Sequence, residues 1–194
     1  MNASEFNDIL EKRLSWIGGV DLEMKGGELA SATPFLKDIC RVLLTFTQKS
    51  YETGVKNALW FLMLLEIEFN RNLERRGAMK LSLDYIRNNR IMQTRKVLGV
   101  KAAEYAYDND RFHNFKKAAS FLNVTPMDAL VGFLTKHLVS LDDLALRLAD
   151  LGIVSDPIQI GAQIDEKIGD AFNYVIISEA IAIDAFQHDR EKNS

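Results

Sequence analysis

Apolar residues recur at intervals of three and four along almost the whole chain, the period of a helix that buries one face. Phe6, Ile9, Leu10, Leu14 and Ile17 follow it behind Ser4, a residue suited to cap a helix start, until Gly18-Gly19 ends the run. A second helix opens at Thr33-Pro34 and sets Phe35, Ile39, Val42, Leu43 and Phe46 on one face; a third, almost wholly apolar, runs from Thr53-Gly54 through Phe69. Gly77 and Ser82 separate it from a long amphipathic stretch over residues 83–107, marked by Ile86, Val97, Leu98 and Tyr105. Asp108-Asn109-Asp110 reads as a cap or turn before a short helix over 111–122, and Thr125-Pro126 starts another that reaches about residue 150. The segment 152–161, with Asp156-Pro157, reads as a loop, and the last helix as 163–186. Alternating β-branched runs bounded by turns are missing, so the pattern predicts an all-α helical bundle.

Two parts suggest themselves: an N-terminal helical region, 1–80, and a C-terminal one, 81–194. The halves look like distant copies, because Lys25-Gly26-Gly27-Glu28-Leu29-Ala30 echoes Lys101-Ala102-Ala103-Glu104-Tyr105-Ala106. Ala58-Leu59 with Phe61-Leu62 likewise echoes Ala129-Leu130 with Phe133-Leu134. On this reading the first part is a degenerate repeat, with Leu64 and Leu65 offering packing or dimer surface, and a homodimer is expected.

Composition narrows the partners. With 47% apolar and 26% charged residues the chain is an ordinary globular protein, and 194 residues bury a core without staples. A formal charge of -3 leaves no excess positive field to hold nucleic acid non-specifically, although one local basic pocket for a small phosphate ligand remains open. The single cysteine, Cys40, fits a reducing compartment, and the first residues lack a secretion signal, so a cytoplasmic location is expected. The longest apolar stretch, 58–65, is far short of the roughly 20 residues a bilayer span needs, so no membrane association is expected.

Candidate chemistry gathers in three C-terminal segments. Glu166, Asp170 and Asn173 fall at i, i+4 and i+7 of the last helix, one stripe beside core positions. The two acids either share a divalent cation such as Mg²⁺ with phosphate oxygens and water, or are solvated and merely flank Lys167. Lys136 and His137 interrupt the apolar run 129–141. Adjacent helical residues point about 100° apart, so one faces inward: either they bind phosphate, base or water, or a snorkelling lysine sits beside a core histidine. Asp142 and Asp143 either neutralise them or complete a metal site. Arg111, His113, Asn114 and Lys116 cluster at a predicted helix start, where free N–H groups favour an anion; alternatively Asp108 or Asp110 simply caps that helix. Glu104 is a further inward ligand or a partner of Lys101. Gly-rich phosphate loops, zinc spacings and a G-x-S-x-G elbow are missing, which sets aside P-loop, zinc and triad hydrolases.

Taken in order, Glu104-Tyr105-Ala106, then Asp110-Arg111-Phe112-His113-Asn114-Phe115-Lys116, then Thr125-Pro126 through Ala129-Leu130 with Lys136-His137, then Glu166-Lys167 through Gly169-Asp170-Ala171 to Asn173-Tyr174, resemble a phage-encoded group related to the MazG-like all-α nucleotide pyrophosphohydrolases. The resemblance spans roughly residues 91–186. It implies a C-terminal four-helix unit, acids from facing helices holding Mg²⁺, and hydrolysis of a nucleoside triphosphate or modified nucleotide to monophosphate and pyrophosphate, in the host cytoplasm if phage-encoded. Under it Glu104, Asp142, Glu166 and Asp170 are metal ligands, Glu166, Asp170 and His137 act in catalysis, and Arg111, His113, Asn114, Lys116, Lys136 and Asn173 hold substrate. The chain departs from that pattern where an E-x-x-E helix should oppose an E-x-x-D helix: it offers Lys136, His137, Asp142 and Asp143 on one, and E-x-x-x-D on the other. Two rivals to the enzyme follow. One is a phage protein that binds and sequesters a nucleotide or cyclic nucleotide signal of host defence; the other is a helical scaffold.

Overall fold

The computed structural model describes residues 1–22, 33–100, 110–149 and 156–192. Among these the fold is all-α, with seven helices: α1 (Ala3–Gly19), α2 (Thr33–Leu44), α3 (Tyr51–Arg75), α4 (Leu83–Val100), α5 (His113–Leu122), α6 (Pro126–Ala149) and α7 (Pro157–Lys192). No described helix is long and apolar enough to cross a membrane. The repeat segments 25–30 and 101–106 lie outside the described residues, as does Glu104.

Helix starts differ from expectation where a better cap sits nearby. Asn2, not Ser4, caps α1, its side chain accepting from Glu5 N–H while Glu5 accepts from Asn2 N–H. Thr125 and Asp128 cap α6 in the same reciprocal way. Asp156 accepts from the N–H groups of Ile158 and Gln159, so α7 begins at Pro157, inside the segment expected as a loop. Gly161 sits inside the helix, where an added Cβ would meet Leu73 at 3.4 Å. The third helix also starts before its expected Thr53-Gly54 boundary. Gly54 lies within it at a close crossing with α2, where a Cβ would come 2.6 Å from both Phe46 and Val42.

One hydrophobic core draws on α1, α2, α3, α4, α6 and α7, with Phe112 at the head of α5. Leu64 and Leu65, expected as packing or dimer surface, are buried in it. The long α7 packs chiefly against α6 and α3 and also meets α1 and α4. Two internal ion pairs fix it. Arg13 of α1, fully buried, holds Glu179 through Nε at 2.5 Å and through Nη2, with Glu52 3.5 Å away. Arg90 of α4, 1% exposed, grips Glu66 of α3 with Nε and Nη2 at 3.0 and 2.8 Å, and its Nη2 reaches Asp165 of α7 at 2.7 Å. Each fork satisfies a buried carboxylate with two parallel hydrogen bonds.

Candidate functional site

Adjacent residues of a helix diverge by about 100°, so α7 presents two neighbouring stripes to different partners. Asp165, Gly169 and Phe172 meet Arg90, whose guanidinium lies 5.8 Å from the Phe172 ring centre. One step round, Asp170, Asn173, Tyr174 and Ile177 line a cavity of about 360 Å³. Phe6 of α1, Val97 and Leu98 of α4, Arg111 and Phe112, Asn114 and Phe115 of α5, and Phe133 of α6 complete its wall. The volume lies within the range of small-ligand pockets.

Its aromatic side is ordered. Phe115 packs edge-on against Tyr174, with ring centres 6.2 Å apart, and against Phe133 at 6.1 Å. Phe6 meets Phe112 at 6.5 Å and also carries the Arg111 guanidinium 5.0 Å above its ring centre. Burial pushes the Arg111 pKa down, yet a guanidinium stays charged at any physiological pH. Its Nη1 is buried without a hydrogen-bond partner, and among the described residues no carboxylate stands within ion-pair distance. Asn173, only 9% exposed, leaves Oδ1 equally unpartnered. Two polar groups without partners on one cavity wall cost stability unless something enters to satisfy them.

Beside the cavity, His137 Nδ1 lies 3.2 Å from Asp170 Oδ2, an ion-pair distance without hydrogen-bond alignment, since Nδ1 has no bonded partner. The ring leans on Tyr174, with centres 5.4 Å apart and planes tilted 34°. Burial first, then the charges of Lys167 and Lys136, hold His137 below its ordinary pKa, against the opposing pull of Asp170 and Glu166. The imidazole is therefore neutral at pH 7, with Asp170 placed to orient it.

No known protein family, curated protein or solved structure matches the chain. The resemblance thus rests on its motifs, and the placement of each candidate side chain is what the structure adds.

Arg111, Asn114, Asp170 and Asn173 share the cavity, with His137 behind Asp170. The other candidates do not join them. Lys136 is exposed on α6 while its neighbour His137 turns inward. Lys116 pairs with Asp110 at 3.1 Å and Asp184 at 3.5 Å, and lines a second cavity beyond Phe112. Asp110 also accepts from Phe112 N–H at 3.0 Å, just ahead of α5, whose N-cap position is Phe112 and carries no side-chain cap, while Arg111 and Asn114 turn to the cavity. Glu166 is exposed and bound to Lys167 at 2.6 Å, which holds its carboxyl below the usual range. His113 and Asp142 are half-buried outside the cavity wall, and Asp143 is exposed.

Among the described residues no three His, Cys, Asp or Glu side chains are grouped to hold a metal ion. Glu166 and Asp170 already have cationic or imidazole neighbours, so the described acids do not by themselves fit the Mg²⁺ set that the resemblance implies. Sequence reasoning missed Phe6 as a wall, because an apolar residue on an amphipathic helix gives no sign of which neighbour it meets. It also passed over Arg90 and Glu66. Two acids, Glu66 and Glu68, within the apolar α3 were the available signal that a buried cation stands opposite.

Proposed function

We propose that the protein binds a nucleoside phosphate in this cavity and hydrolyses a bound triphosphate to the monophosphate and pyrophosphate. One observation carries the reading: a half-buried guanidinium whose Nη1 is buried without a partner and a buried amide oxygen lacking a donor line one aromatic-walled space. Arg111 takes the anionic phosphate. Phe6, Phe115 and Tyr174 offer rings to a planar base, and Asn173 Oδ1 takes an N–H from its edge. Asp170 on the cavity wall accepts a proton from water and passes it to neutral His137 behind it, as the water oxygen bonds to the α-phosphorus, the bond to the bridging oxygen breaks, and pyrophosphate leaves with the electron pair. Asp170 orients the imidazole and stabilises its charged form.

Incubation with each common nucleoside triphosphate and Mg²⁺, with pyrophosphate release as the readout, tests the reaction. Release from at least one, lost in His137→Gln and weakened in Arg111→Met, is expected. If no triphosphate yields pyrophosphate or raises the melting temperature, the reading is wrong.

A second reading, sequestration of a nucleotide signal without turnover, is favoured by the engagement of Glu166 with Lys167 and of Asp170 with His137. It predicts thermal stabilisation by linear or cyclic nucleotides that survives EDTA, with the ligand recovered intact.

A further inference from the structure

The cavity stripe of α7 meets its surroundings through Asp170 beside His137 and through the ring of Tyr174, whereas the stripe next to it is held from three directions by one side chain. The Arg90 guanidinium reaches Asp165 Oδ1 at 2.7 Å and the Asp165 carbonyl at 3.3 Å, and lies over Phe172. Between them, Nη1 occupies the space beside Gly169, where an added Cβ would stand 2.7 Å away. These positions, i, i+4 and i+7, are the helical neighbours of Glu166, Asp170 and Asn173. The far side of the guanidinium is fixed in turn by the two-pronged bond to Glu66 on α3. A planar fork held at both ends permits one orientation, so α7 can neither roll nor slide without breaking the Arg90–Asp165 contact or displacing the fork from Glu66.

We propose that Arg90 is a positioning residue for the ligand cavity: by clamping Asp165, Gly169 and Phe172 against Glu66 it sets the rotation of α7 that places Asp170 against His137 and Asn173 in the cavity wall. The absent side chain at Gly169 is part of the device, because any Cβ there must displace the Arg90 tip. The inference rests on the cavity being a ligand site, and its primary readout needs no ligand.

The test compares Gly169→Ala, which displaces the fork without changing any charge, with Arg90→Lys, which keeps the charge and loses the fork. Asp165→Ala removes only the half-exposed end of the cluster and serves where either of the others folds poorly. Gly54→Ala, at the α2–α3 crossing and outside the cavity, is a control that strains packing elsewhere. At fixed pH the proton signals of the His137 ring, which leans on Tyr174, and of the Asn173 side-chain amide report the geometry directly. Both are expected to move in Gly169→Ala and Arg90→Lys, to move less in Asp165→Ala, and to stay in place in Gly54→Ala. Affinity for ATP and UTP should fall about tenfold to a hundredfold with the first two, the scale expected of an ångström-sized misplacement. If the signals keep their wild-type positions while stability drops, Arg90 is a structural residue only and the proposal is overturned. If they move although wild type binds neither ATP nor UTP, the clamp stands and the nucleotide reading takes the loss.

Discussion

Arg90, fully buried, and Arg111, half-buried, are both cations stacked on aromatic rings beside α7, and their partners differ. Arg90 has a carboxylate on either side, whereas the Nη1 of Arg111 meets nothing. A buried charge with matched partners is architecture: removing a partner damages the fold, and removing the pair together does much less. A half-buried charge with one nitrogen shut off from any partner adds little to the empty protein and gains when an anion arrives. The contrast separates scaffold from site without appeal to relatives.

The largest expected effect breaks the scaffold side. Glu66→Leu strands Arg90 with only half-exposed Asp165 and should cost about 3–5 kcal/mol in denaturant unfolding, whereas Glu66→Leu with Arg90→Met should recover most of it. A double variant as unstable as the single one would show that packing, not charge, dominates there. The next effect sharpens the site side. Arg111→Met should leave stability within about 1 kcal/mol of wild type, or raise it, while nucleotide affinity falls roughly tenfold to a hundredfold, the worth of a hydrogen bond to a charged group. Unfolding on the scale of Glu66→Leu would place Arg111 with the scaffold instead.

The smallest effect is one of pH. Burial holds the folded-state His137 below the 6.5 of an unfolded histidine, so the unfolded chain takes up the proton first. This contribution to stability is whole above pH 6.5 and is lost as pH falls through the lower folded-state value. Between pH 6.5 and 5, His137→Gln should lessen the fall of the melting temperature by about 2 °C. An unchanged slope would mean the imidazole is not shielded.

The bundle was legible because amphipathic periodicity is a local property: α1, α2, α5 and α6 begin within two residues of their predicted starts. Boundaries slipped where a cap just upstream competed, as Asn2 did with Ser4 and Asp156 with the glycine at 161. The site was partly legible. Arg111, Asn114, Asp170 and Asn173 stood out as polar positions beside apolar ones, and the structure brings them together. Lys116 and Lys136 carried the same signal and point elsewhere, because which side of a short helix faces a cavity depends on tertiary packing. The Arg90–Glu66 pair lies 24 residues apart in sequence and has no periodic signature at all.

Phe6 gives the cavity a consequence in time. The wall it forms with Arg111 and Asn173 joins residue 6 to residues more than a hundred positions later, so a growing polypeptide has no competent pocket until α7 has left the ribosome and docked on α1. On the proposed function, ligand capture is a late event in the life of each molecule, and a nascent or clipped chain lacking either helix would be blind to a nucleotide however well its other helices had formed.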